Sequence, residues 1–357
     1  MSDHLYVGTR KGLFELRRNG GWDVANVSFL GDPVCAVLPL ADGGALAALD
    51  LGHFGNKLWR RDAGDGDWRE VAVPVYPEKP ADDDDKNSWS LELLWCLEAG
   101  AGDAVWAGTI PGGLFHSPDG GESWHLVRSL WDRPERKEMF GGGFDQPGIH
   151  SVAVDPRDSN RLLLDISCGG AWLSDDAGKS WRLGHGMTNR YMPPERRDDP
   201  VIQDAHRIVR CPAAPEVCWC QHHDTVFRST DGGETWAEVP AVQPSTFGFA
   251  VAVHPQDPDT AWFVPAVKDE CRVPVDGKVV VARTRDGGKN FDVLTDGLPQ
   301  RHAYDLVLRH ALDIDETGAT LAFGSTSGGL WFSEDGGNSW SAPDIRLPPV
   351  ACVRFAD

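Results

Sequence analysis

Apolar residues in this chain come in short runs, each closed by a polar, Gly-rich turn, and the same order of runs and turns repeats. A unit opens with a strand-like run such as 149–154, 208–210 or 249–253. A later apolar run ends in Gly12-Leu13-Phe14, Gly113-Leu114-Phe115, Gly170-Ala171-Trp172 or Gly329-Leu330-Trp331. An octapeptide turn comes next. It reads STDGGETW at 229–236, SPDGGESW at 117–124, SDDAGKSW at 174–181 and SEDGGNSW at 333–340. A variant, TRDGGKNF, occupies 284–291, and worn copies end at Trp22 and Trp68. In each copy the carboxylate can accept hydrogen bonds from the turn's own amides, and the glycines supply positive φ. The closing aromatic offers a large apolar plate to the next unit.

Those aromatics stand at 22, 68, 124, 181, 236, 291 and 340, with steps of 46, 56, 57, 55, 55 and 49 residues. That is the period of propeller blades. Each unit reads as four short antiparallel strands, with the octapeptide joining the third and fourth. The expected fold is therefore all-β, a seven-bladed β-propeller over residues 1–357 as one domain. The first octapeptide comes too early for its unit to hold four strands. The run 350–355 is expected to supply the missing innermost strand to the blade begun at 5–16, leaving no exposed sheet edge.

Composition narrows the function. The net charge of −20 argues against nucleic acid or an anionic membrane, both of which demand Lys and Arg against phosphate. No apolar run is long enough to span a bilayer, and the N-terminus enters a strand with no secretory leader, so a cytoplasmic protein is expected. The eight cysteines show no paired framework and read as reduced thiols. The acidic run 82–85 reads as a solvated loop, and Arg133, Arg136 and Lys137 as a solvated face. The glycines at 141–143 lack the strand-then-helix context of a phosphate loop, so no nucleotide cofactor is expected; they read as part of a lid.

In a four-stranded blade the second-to-third turns share a face with the links between blades. All the long insertions fall there: links 72–90, 128–148, 184–204 and 240–247, and a hairpin expansion over 266–278. His150 and His206 lead the inner strands of the fourth and fifth blades, each six residues before a proline. Phe249 and Tyr304 hold about the same register in the next two blades. The second-to-third turns add Arg10, His53, Cys168, Gln221 and His223, and the expanded hairpin adds Asp269, Glu270 and Arg272.

Three imidazoles, His150, His206 and His223, could hold one divalent metal ion. Alternatively, His53, His150, His206 or His223 with Glu270 or Tyr304 could run general acid–base catalysis, with Arg10, Arg272, Asp269 and Gln221 binding a polar or anionic substrate. Each histidine could equally be a hydrogen-bonded wall residue. His222 reads as turned into the sheet or solvent, and Cys168 as a small packing residue rather than a nucleophile.

The octapeptides, together with GTRKGLF (8–14), GHFGNKL (52–58), FGGGFDQPGIHSV (140–152) and QHHDTVFRSTDGGETW (221–236), resemble the BNR/Asp-box repeat family. The closest branch is the one called exo-α-sialidase-like, or related to the plant photosystem II stability and assembly factor. The resemblance implies a propeller and leaves open a sialidase-like glycoside hydrolase. Sialidases of this kind use an arginine triad, a tyrosine nucleophile with a Glu partner, and an Arg-Ile-Pro-like segment ahead of the first box. Here Arg346-Leu347-Pro348 follows the last box instead, and the chain has only four tyrosines. The leading expectation is a small-molecule hydrolase or lyase with a His-rich pocket. The alternatives are a non-catalytic scaffold that presents its loops to a protein partner, and a sialidase-like enzyme.

Overall fold

The apolar runs become strands that are buried on both sides. Gly248–Val253 and Ala261–Pro265 have no exposed residue, which explains why they read as continuous apolar stretches rather than alternating ones. The computed structural model describes residues 1–64, 66–81, 84–142 and 144–356. The fold class is all-β, a seven-bladed β-propeller: among the described residues six sheets have four strands and one has three. Among the described residues no helix is long and apolar enough to cross a membrane.

The described residues fall into two compact units. The first comprises Met1–Cys35, His206–Gly232 and Ala237–Asp357. Here the C-terminal strand Val350–Phe355 pairs antiparallel with His4–Thr9, which pairs in turn with Gly12–Arg18 and then Trp22–Ser28. The C-terminal run thus completes the N-terminal blade. The same unit carries the sheets that start at Ala205–Arg210, Gly248–Val253 and Leu312–Ile314. The last of these ends at its third strand, Leu330–Ser333. The fourth strand expected there is reduced to a single bridge between Phe332 and Ser341. The aromatic plates behave as anticipated: Trp22 stacks on Phe332 with centroids 4.4 Å apart and planes at 5°.

The second unit comprises Ala36–Ala205 and Gly233–Trp236, with the sheets that start at Val34–Pro39, Leu93–Ala99 and Ile149–Asp155. Its core gathers Trp106, Leu162, Leu164, Ile166, Trp172 and Ile202. The acidic run departs from its sequence reading. Residues 82 and 83 lie outside the described residues, and Asp84 pairs with Lys137 at the surface. Asp85, however, is buried and forms an ion pair with buried Arg136. Neither that carboxylate nor that guanidinium is solvated. Arg133 pairs with Glu135 at 2.6 Å. Gly143 of the glycine run also lies outside the described residues.

The octapeptide turns share one set of bonds. In 117–124, Ser117 Oγ donates to Asp119 Oδ1 at 2.8 Å and accepts the Gly121 N–H at 2.8 Å. Asp119 also accepts the Ser123 N–H at 2.9 Å and the Ser123 hydroxyl at 2.6 Å. Gly120 and Gly121 take φ of 69° and 92°, a region where a Cβ is strained. Turns 174–181, 284–291 and 333–340 repeat the pattern. The hydrogen bonds from Ser123, Ser180 and Asn290 hold the carboxyls of Asp119, Asp176 and Asp286 at about 2, down from an ordinary 3.8.

An unfolded chain would take up these protons near 3.8, the folded turns only near 2. Their stabilising contribution is therefore complete above about pH 4 and is lost as the pH falls towards about 2. Thermal melts from neutral pH downward are expected to show Tm dropping across that window. The drop should be shallower in the Asp119→Asn, Asp176→Asn double variant. A wild-type Tm that stays level down to pH 2 would rule out this role.

Candidate functional site

In the first unit, strand Ala205–Arg210 carries His206 at its second position, and Gly248–Val253 carries Phe249 at its second. The shared register lays the two rings face to face, 4.4 Å apart and 13° from parallel. His206 Nδ1–H donates to the Gly248 carbonyl at 2.7 Å. A carbonyl can only accept, so in the neutral ring the proton sits on Nδ1 and the lone pair on Nε2. That Nε2 faces His223 Nδ1 at 3.2 Å.

His223 lies in the turn between Cys218–His222 and Val226–Ser229, half-buried, where its ring can reach both His206 and solvent. Gln221 braces the turn from below. It is buried, and its amide donates to the carbonyls of His222 and Thr246 at 3.0 and 2.9 Å. Phe247 stands edge-on to both imidazoles, at 5.9 and 5.8 Å. Two guanidiniums meet the Phe249 ring: Arg272 at 5.3 Å and Arg309 at 5.1 Å. Both are within the range of cation–π attraction.

The result is an aromatic-walled pair of imidazoles beside two cations, in a chain that is otherwise strongly acidic. Chemically, it can hold an anion and share a proton between His206 Nε2 and His223 Nδ1, with the Gly248 carbonyl fixing the His206 tautomer. The 3.2 Å between the two ring nitrogens is also about the separation of two ligands on one tetrahedral ion with bonds of about 2.1 Å. Moreover, a ligating histidine is commonly held through its other nitrogen by a carbonyl, as His206 is.

The remaining candidates are placed as follows. His150 belongs to the second unit and is wholly buried. Its Nε2 lies 3.2 Å from Asp165 Oδ2 and its Nδ1 lies 3.2 Å from Ser151 Oγ, so both ring nitrogens have neighbours within their own blade. His53, in the turn Gly52–Phe54, is exposed against the Phe54 ring at 3.9 Å. On the expanded hairpin Arg272 Nη2 pairs with Asp269 Oδ1 at 2.5 Å, and exposed Glu270 pairs with Lys268 at 3.4 Å. Tyr304 is 66% exposed, in the irregular segment ahead of Leu312–Ile314. Arg10 is exposed, and its backbone N–H donates to the Pro349 carbonyl at 3.0 Å. Cys168 is buried at a φ of 47°, in keeping with a packing role. His222 is buried in the sheet, and its Nδ1 accepts the Asp224 N–H at 3.2 Å.

Two contributors escaped the sequence reading. Gly248 acts through its carbonyl, which no side-chain pattern reveals. Arg309 sits in an irregular segment that has no register to read.

Fold and turns define a propeller built on Asp-box turns, and the comparisons agree. The BNR/Asp-box repeat matches residues 227–238, on the same stretch that carries the sequence resemblance. A relative, the xyloglucanase Xgh74A of Acetivibrio thermocellus, is 29% identical over 148 residues; these make up 36% of this chain and 16% of that protein. Among solved structures, the periplasmic gluconolactonase PpgL of Pseudomonas aeruginosa aligns at a TM-score of 0.60 and 12% identity, over 99% of both chains. YCF48 bound to D1 peptide aligns at 0.52 and 13% identity, over 87% of this chain and 81% of that one. At these identities the structural likeness is one of fold.

The Gly248 carbonyl makes a tautomer prediction. Long-range ¹H–¹⁵N spectra at pH 8 are expected to show His206 protonated on Nδ1 with an unprotonated Nε2. A His206 ring protonated on Nε2 alone would contradict the bond that organises the pair.

Proposed function

We propose that this propeller is a hydrolase for a polar, anionic small molecule, with His206 and His223 as its proton-carrying pair. The single observation behind this reading is the contact at 3.2 Å between His206 Nε2 and His223 Nδ1, with His206 oriented from behind by the Gly248 carbonyl. Held in that tautomer, His206 accepts the Nδ1–H of His223. His223 Nε2 is then the basic nitrogen turned outward. It takes a proton from water as the water oxygen bonds to an ester or lactone carbonyl. The same proton passes to the alkoxide oxygen as the carbon–oxygen bond breaks. Positive charge on the pair is eased by the carbonyl behind it, while Arg272 and Arg309 hold the substrate's anionic group. Kinship with a xyloglucanase supports a carbohydrate-derived substrate.

A second reading is favoured by the ligand-like spacing of the same nitrogens. His206 and His223 would hold a divalent ion whose chemistry is to acidify a bound water. Phe247 and Gly248 would set the imidazole orientation in either case. The scaffold reading draws support from the fold shared with the peptide-bound YCF48.

The test is turnover of carboxylate-bearing p-nitrophenyl esters and sugar-acid lactones by tag-free protein, paired with metal analysis. His206→Ala and His223→Ala are each expected to lower kcat/KM by about 10²–10⁴-fold, the usual span for general acid–base catalysis. Arg309→Met should raise KM more than it lowers kcat. Stoichiometric metal that disappears in both histidine variants selects the second reading. A metal-free protein that turns over none of these substrates refutes both, and leaves the scaffold.

A further inference from the structure

The link over 72–90 builds a second feature, wholly within the second unit. Buried Tyr76 bonds through its hydroxyl to Thr109 Oγ1 at 2.5 Å and to the Pro111 carbonyl at 2.6 Å. Trp89 sets its indole N–H on Asp85 Oδ2 at 3.1 Å and stands edge-on to Trp131, 5.3 Å away. Asp85 is the partner of buried Arg136, whose Nε–H donates to the Trp131 carbonyl at 2.7 Å. The Arg136 guanidinium lies 4.0 Å from the Trp131 ring and 5.4 Å from that of Trp89. A buried ion pair adds little net stability, but it fixes what it touches. Here it fixes Trp89 as part of the wall of an open cavity.

That cavity has a volume of about 340 Å³, within the range of roughly 300–1,000 Å³ typical of small-molecule clefts. Val73, Pro74, Val75, Trp89 and Ser90 line it, together with Asn56, whose amide donates to the Leu91 and Glu92 carbonyls at 3.4 and 3.1 Å. Among the described residues no charged side chain lines it, which favours a neutral occupant. Added peptide strands are disfavoured, because residues 72–80 lie outside any ladder and include Pro74, Pro77 and Pro80. Proline-rich peptides are disfavoured too. The aromatic donors such grooves aim at peptide carbonyls are committed elsewhere, Trp89 Nε1 to Asp85 and the Tyr76 hydroxyl to Thr109 and Pro111. What remains to offer is an electron-rich ring surface, aliphatic walls and, at the rim, the exposed Ser90 hydroxyl, which shares a hydrogen bond of 2.7 Å with Ser88. A pyranose matches that set: its C–H face suits the ring and its equatorial hydroxyls suit the rim.

We propose that this cavity is a binding site for neutral glycan chains, with one sugar ring stacked on Trp89. It is independent of the histidine pair and does not rest on the hydrolase reading. Calorimetric titration with cellohexaose and maltohexaose tests it on the full chain. At least one is expected to bind with a millimolar or tighter Kd, weakened tenfold or more in Trp89→Ala. Because Trp89 packs on Trp131, exposed Ser90→Arg serves as a second variant that fills the cavity without entering the core, and it should abolish the same signal. His223→Ala should bind as well as wild type. Failure of both oligosaccharides to bind, binding that survives Ser90→Arg, or saturable binding of a polyproline decamer at this site in their place would each overturn the proposal.

Discussion

A carboxylate satisfied inside its own turn is the constraint on which the rest of this molecule depends. Four bonds link the Ser, Asp, Gly and Ser of residues 117–123, and each is closed within five residues of chain. The turn therefore needs no help from tertiary packing to set the exit of the third strand and the entry of the fourth. It also aims the aromatic that follows. Trp181, for example, lies in its blade with its indole N–H on the Gly178 carbonyl at 3.1 Å. Repeating one self-sufficient hairpin lets the intervening links vary in length without disturbing the sheets.

Rigid sheets with free links explain why the chemistry collects where it does. The His206–His223 pair borrows from two blades. The strand from 205 holds one ring, a second-to-third turn holds the other, and a backbone carbonyl from the strand at 248 sets the tautomer. Backbone atoms held in a sheet move little, so the orientation of His206 is pre-formed rather than recruited by substrate. The cations come from less regular segments, Arg272 from the hairpin expansion and Arg309 from the run before Leu312. In the proposed hydrolase, the cations that grip the substrate would adjust there without shifting the imidazoles.

The Asp85–Arg136 pair shows the opposite use of charge. Although burial opposes it, the bond from Arg136 keeps the Asp85 carboxyl below its ordinary value. Two desolvated charges are held in place by the Asn87 N–H at 3.1 Å, the Trp89 indole and the Trp131 carbonyl. Well-packed apolar residues would serve stability about as well. The pair instead locks an indole ring onto the edge of a neutral cavity.

The number of blades, the octapeptide turns and the strand that completes the first blade were all legible in the chain. Each depends on a period or on bonds closed over a few residues. The weakness of the last blade was not legible, since Ser341 continues the pattern and yet makes only one bridge. Candidate chemistry was legible only in part. His206, His223 and Gln221 could be placed because they sit on strands or turns whose register can be counted. The acidic run misled, because Asp85 meets Arg136 across 51 residues and only packing of the two links removes both from water. Likewise, the Gly248 carbonyl reaches His206 across 42 residues. Local hydrogen bonding is written in composition and spacing. Which side chain loses its water, and which backbone atom it then meets, is decided only when the sheets pack.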